Sequence, residues 1–119
     1  MIIISIYELI VREPQKENYI IIQHTISTEK NFFYIFQLDF LAGSPPDSTK
    51  SEPWIIITKS TAERLYGQID VVGKQILSGE GIFTIKAVVQ DIPDISSFKA
   101  DMFLDSSTGI RSQPARKNM

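Results

Sequence analysis

The residues able to do chemistry are few, and their spacing assembles no reactive set. The chain has one histidine, His24, and no cysteine. Thiol catalysis, disulfides, zinc–thiolate centres and multi-histidine metal sites are therefore excluded. A lone imidazole in the β-prone run Tyr19-Ile20-Ile21-Ile22-Gln23-His24-Thr25-Ile26 reads as a strand residue rather than a catalytic base. Asp91, Asp94, Asp101 and Asp105 are close in sequence and carry the oxygen ligands that a hard cation takes. Their spacing lacks the alternating ligands and central glycine of a calcium loop, so they read as solvated turn residues. Gly73-Lys74 has no glycine loop before it, and no Gly-x-Gly-x-x-Gly run is present, so a nucleotide phosphate has no visible cradle. Serines are plentiful, but the one imidazole lies in a distant strand, which leaves no triad to propose. The sequence predicts no catalytic, cofactor-binding or metal-binding residue and no cofactor, and thus a protein that is not an enzyme.

The elements that would position these groups are organised around residues 54 to 67. Trp54-Ile55-Ile56-Ile57 favours an extended backbone, because rings and branched side chains crowd a helical turn. With no polar alternation it predicts a strand covered on both faces, at the centre of a sheet. Ser60 with Glu63 fits a reciprocal helix cap, Ala62, Leu65 and Tyr66 share a helical face, and Gly67 supplies the left-handed end. Before this unit, Ile2 to Val11 and Tyr19 to Ile26 predict two strands joined across the turn at Glu13-Pro14. Ser27 or Thr28 can cap a short helix over Asn31 to Gln37, whose Phe32, Phe33 and Phe36 plug one end of the core. Leu38 to Leu41 reads as an apolar link and Ala42 to Pro53 as a long exposed loop. After Gly67, Val71 to Leu77 and Ile82 to Val89 predict a hairpin, with Thr84 and Lys86 toward solvent and Phe83, Ile85 and Ala87 inward. Asp91 to Asp94 forms a turn, and Met102-Phe103-Leu104 a final short strand.

The sequence predicts an α+β fold: a mixed, largely antiparallel sheet with two short helices, over residues 1–105 as one domain, with 106–119 a poorly ordered tail. The expected core is Ile21, Phe33, Phe36, Ile55, Ile57, Ala62, Leu65, Phe83, Ile85 and Val88. A length of 119 residues suits one domain with a real core. A formal net charge of −2 leaves no broad basic surface for nucleic acid. The opening Met-Ile-Ile-Ile-Ser-Ile-Tyr-Glu lacks the basic flank and apolar length of an export leader and reads as a strand. No stretch reaches the roughly 20 apolar residues that cross a bilayer.

Three blocks, in order, resemble the extracytoplasmic core domain of MacB/FtsX-like ABC transporter permeases, particularly the Bacteroidetes-type group. The first is Asn31-Phe32-Phe33-Tyr34-Ile35-Phe36 with Phe40 to Pro45. The second is Ile57 to Gly67, continuing to Val72-Gly73-Lys74, and the third is Phe83 to Pro93, ending in Asp91-Ile92-Pro93. The match covers about residues 26–105. Two departures stand out: Ala87 occupies a usual glycine position, and Ile95-Ser96-Ser97 lacks the family's histidine. The resemblance implies a non-enzymatic extracytoplasmic module that engages a partner or substrate outside the membrane and passes conformational change to the membrane part. It also implies transmembrane helices and a separate ATPase as partners in the parent assembly, with this chain an excised piece. A periplasmic protein or peptide is a further expected partner. The alternative is a free-standing scaffold that docks a protein or glycan through its aromatic helix and exposed strand edges. An N-terminal strand left at a sheet edge further predicts self-association of the isolated chain.

Overall fold

The computed structural model describes residues 6–29, 32–46, 53–79, 81–93 and 99–106. The expectations for residues 1–5, for the middle of the loop at 47–52, for Asp94 to Phe98 and for the tail from residue 107 lie outside the described residues. Seven strands and two helical segments follow one another: β1 (Ile6–Arg12), β2 (Ile20–Thr28), α1 (Phe32–Ile35), β3 (Phe40–Gly43), β4 (Trp54–Thr58), α2 (Lys59–Tyr66), β5 (Gln75–Ser78), β6 (Gly81–Val89) and β7 (Met102–Asp105).

The strands close on themselves. Their order is β6-β4-β7-β2-β1-β5, and β5 pairs back onto β6 to complete a six-stranded barrel, with β3 added to the outer edge of β6. The β4–β6 and β2–β7 pairs are parallel, and the rest are antiparallel. The α+β expectation is therefore corrected, because the fold is dominated by a closed sheet. Among the described residues α2 is the only helix longer than one turn. Ser27 and Thr28, expected as caps, belong to β2, and this leaves the Phe-rich stretch room for a single turn. Closure takes up the N-terminal edge on which self-association was expected only at Val11 and Arg12, where β1 meets β5. β1 pairs with β2 on one side and β5 on the other, and β2 pairs with β1 and β7.

Two apolar clusters sit on opposite faces of the barrel wall. The inner one gathers Leu9, Val11, Ile22, Ile55, Ile57, Phe83, Ile85, Val88, Met102 and Leu104, joined by Ala62 and Leu65 of α2. The outer one gathers Ile26, Ile56, Ala87, Val89 and Phe103 beneath Phe32 and Phe33 of α1. β4 is thus covered on both faces, as its composition demands, and Ile55, Ile56 and Ile57 are all fully buried. Phe33 meets the rings of Phe32, Phe40, Trp54 and Phe103 at centroid separations of 5.2 to 6.2 Å. Such edge-to-face contacts add to the area that each ring buries.

Bulges explain where the expected side-chain phase fails. On β6 one extra residue, Lys86, lies between the partners of Ile55 and Ile56. Phe83 and Ile85 therefore face the barrel interior while Ala87, expected beside them, faces outward into the aromatic cluster. Thr84 and Lys86 are half-buried rather than open to solvent. On β2 the phase is one residue off. Ile22, not Ile21, enters the core, and Ile21 is 50% exposed. Phe36 is only partly buried against the outer cluster. The helix cap is also displaced, since Thr58 rather than Ser60 accepts the Thr61 N–H. Gly67 ends α2 in the left-handed conformation, its N–H on the Glu63 carbonyl at 2.9 Å.

Leu65→Ala, which removes a buried side chain of the inner cluster, is expected to cost about 2 to 4 kcal/mol in urea denaturation. Gly43 and Gly73 both have positive φ, but a Cβ at Gly43 would collide with the Lys86 carbonyl oxygen whereas one at Gly73 meets open space. Gly43→Ala is expected to exceed the cost of Gly73→Ala by about 1 to 3 kcal/mol in the same assay.

Candidate functional site

α2 runs straight out of β4, so its first free N–H groups lie beside the end of β6 and the approach to β7. Thr58 supplies the first partner, its hydroxyl accepting the Thr61 N–H at 3.3 Å and lying 2.9 Å from the Thr61 hydroxyl. Asp91, two residues beyond β6, supplies the second. Its Oδ1 accepts the Ser60 N–H at 3.0 Å, and its Oδ2 accepts the Ser60 hydroxyl. Burial opposes the charge on Asp91, but the two Ser60 hydrogen bonds and the nearby Lys59 and Lys99 outweigh it and hold the carboxyl below its usual range.

Asp101, just before β7, ties a third strand to the same place. Its N–H donates to the His24 carbonyl at 2.7 Å, and its own carbonyl accepts the Thr58 N–H and the Thr61 hydroxyl, each at 3.1 Å. Its Oδ2 lies 3.1 Å from His24 Nδ1. Glu8 alone opposes two β2 residues, Gln23 and His24, because Tyr7 pairs with Thr25 and Leu9 with Ile22. A bulge of this kind re-aims a side chain, and here it accompanies the turn of His24 onto Asp101.

The structure therefore separates the polar residues that the sequence singles out. Ser60 engages Asp91, His24 engages Asp101, and Asp105 is buried at the end of β7. Asp94 lies outside the described residues. Among the described residues, no group of three or more His, Cys, Asp or Glu gathers to hold a metal ion. Tyr66, whose phenol burial and the Glu13 carboxylate push up to about 12, donates to the Gln75 carbonyl at 3.0 Å. The arrangement is a clasp. It fastens the start of α2 to the end of β6 and the start of β7 and, through Asp101, to the middle of β2.

Two surface features have no counterpart in the sequence reading. On the outer wall, Ile10 and Ile21 pair across β1 and β2, and with Tyr19 and Ile82 they are 50 to 65% exposed. Arg12 stands 5.7 Å over the Tyr19 ring and donates to the carbonyls of Glu13, Pro14 and Lys16. The second feature is a cleft of about 340 Å³ beside Trp54 and Lys86. The apolar run Ile20-Ile21-Ile22 signals the first, since a strand that buries one face has a residue to spare. Lys86 signals the second by interrupting an apolar strand. Phe32 and Phe33, expected to plug one end of the core, are interior, Phe32 fully and Phe33 nearly so, and the alternative of docking through the aromatic helix loses them.

The polar groups of the clasp fasten the elements of a closed mixed barrel to one another. Residues 4–118 match the MacB-like periplasmic core domain, and the chain belongs to that family. No curated protein matches it in sequence. Among solved structures, a domain of a permease protein from Porphyromonas gingivalis is similar with a TM-score of 0.70 and 25% identity, over 87% of this chain and 48% of that one. The periplasmic region of MacB from Actinobacillus actinomycetemcomitans has a TM-score of 0.66 and 13% identity, over 92% of this chain and 49% of that one. The extracellular domain of the noncanonic ABC-type transporter YknZ from Gram-positive bacteria has a TM-score of 0.63 and 17% identity, over 92% and 55%. The last two show the fold. This chain spans about half the length of the solved domains it matches, and it is an extracytoplasmic domain of the MacB-like permease type. Among the described residues no helix is long and apolar enough to cross a membrane.

The depressed Asp91 carboxyl gives the clasp an acid limit. A group whose folded pKa lies below its unfolded value of about 3.9 adds stability above that value and loses it as pH falls through the folded pKa. Asp91→Asn is expected to be less stable than the parent near pH 7, with the gap shrinking below about pH 4. Urea denaturation of both proteins across that range measures it.

Proposed function

We propose that the chain is a non-enzymatic extracytoplasmic module of an ABC transporter permease, one that engages a partner or substrate outside the membrane and transmits conformational change to the membrane part. Its partners on this reading are the permease transmembrane helices, a separate ATPase and a periplasmic protein or peptide. Membership of the MacB-like family supports the setting. The observation that carries the mechanical role is the clasp. Two of the three blocks that resemble the family, Ile57 to Gly67 and Phe83 to Pro93, meet at the Ser60–Asp91 hydrogen bonds rather than around a reacting centre.

Such a module moves as one body. The hydrogen-bonded ring gives each barrel strand two neighbours, and α2 is locked to three strands through Thr58, Ser60, Thr61, Asp91 and Asp101. A displacement imposed on the outer wall is then passed to the strand ends rather than absorbed by sliding of α2, since packed elements resist continuous deformation. The energy for transport comes from the ATPase.

The test uses the full permease reconstituted with its ATPase. Ser60→Ala with Asp91→Asn is expected to leave basal ATP hydrolysis intact while reducing its stimulation by the extracytoplasmic partner or substrate by at least about half. Stimulation equal to that of the parent, with the double variant folded, would overturn the transmitting role of the clasp.

A further inference from the structure

β3 and β5 share one edge of β6, end to end. β3 pairs with Ala87 to Val89, and β5 pairs with Gly81 to Thr84. Between them the backbone of Ile85 is satisfied by the loop before β5, its carbonyl accepting the Gly73 N–H at 2.9 Å and its N–H donating to the Lys74 carbonyl at 2.8 Å. That loop brings glycine where a strand would bring side chains, and a cleft of about 340 Å³ results. Trp54, Val72, Thr84, Ile85 and Lys86 line it, and Gly43 closes one end. The volume falls within the roughly 300 to 1,000 Å³ typical of small-molecule sites, which pair apolar walls with a few polar groups.

Among the described residues that line the cleft, Lys86 is the only charged one. It is half-buried, it occupies the β6 bulge, and among the described residues it has neither a hydrogen-bond nor an ion-pair partner. A partly desolvated ammonium beside apolar walls favours an anion that brings its own apolar body. One cation, with no second basic residue among the described residues of the lining, fits a single negative charge better than a phosphate dianion. We propose that the cleft binds small amphiphilic carboxylates, the carboxylate on Lys86 and the acyl or aryl body against Trp54 and Val72. This inference concerns the chain by itself and does not rest on the permease role.

Trp54 is the only tryptophan in the sequence, so its fluorescence reports on the cleft directly. The chain is titrated below micelle-forming concentrations with decanoate, decanol and decyltrimethylammonium, which share one apolar tail and differ in charge. A saturable emission change is expected with decanoate, with affinity about tenfold weaker for decanol and weaker still for the cation, a charge-assisted hydrogen bond being strong enough for that margin. Lys86→Met is expected to lose about tenfold in decanoate affinity and none for decanol, and Lys86→Arg to keep most of it. Val72→Asp, at a position that is already exposed, places a negative charge at the cleft and is expected to abolish decanoate binding while leaving the fold intact by circular dichroism. The proposal is overturned if emission shows no saturable change, if decanol binds as tightly as decanoate, or if Lys86→Met and Val72→Asp both bind decanoate like the parent. Its failure would leave the transmitting role of the clasp untouched, because that role is read in the assembled permease.

Discussion

The constraint on which the rest depends is the burial of three consecutive isoleucines. In a strand, neighbouring side chains point to opposite faces, so Ile55, Ile56 and Ile57 can all be buried only if both faces of β4 are covered. The barrel interior receives Ile55 and Ile57, and the aromatic turn of α1 covers Ile56. That requirement puts β4 between β6 and β7 and brings Phe32 and Phe33 across the outer wall. The sheet closes because an open β1 edge would leave Val11 and its backbone groups exposed, and β5 supplies the partner.

The polar clasp follows from the same placement. A strand that turns directly into a helix leaves helix N–H groups unpaired at the barrel rim, and an unpaired backbone donor removed from water is costly. Thr58 answers one donor from within the chain segment. Asp91 and Asp101 answer two more, those of Ser60 and Thr58, from residues far along the sequence, so part of the local need of an eight-residue helix is met by long-range contacts. The cost of ordering these segments at one point is thereby offset by the charge-assisted bonds to Asp91 and by the apolar packing beneath them.

Much of the local structure was legible in the residues. The β4–α2–Gly67 unit, the β5–β6 hairpin, the burial of Phe32 and Phe33, the final strand and the family all follow from side-chain type, periodicity or block order. What was hidden is non-local. Nothing in Ile6 to Arg12 says that its second edge meets Leu77 and Ser78, so closure was missed and the fold class with it. The bulges at Lys86 and opposite Glu8 shift the side-chain phase without any glycine or proline to mark them. Ser60 and Glu63 have the spacing of a cap, yet Thr58 is nearer in the chain to the strand end and takes the role. The cleft at Trp54 and Lys86 depends on where β3 and β5 stop along β6, a matter of register rather than of motif.

The position of β7 bears on how the chain reaches this state. It is the last strand described, yet it lies in the interior of the sheet, hydrogen-bonded to β4 on one side and β2 on the other. A chain delivered from its N-terminus, as in export across a membrane, presents the β1–β2 hairpin and the β4–α2–β6 unit before the strand that joins them. Until Met102 to Asp105 arrives, the inner edges of β2 and β4 carry unpaired backbone groups and both apolar clusters are incomplete. Closing so long a loop is entropically slow, and open strand edges are the surfaces on which chains associate wrongly. The closed ring thus makes assembly a last-step event, waiting on four residues near the C-terminal end of the barrel.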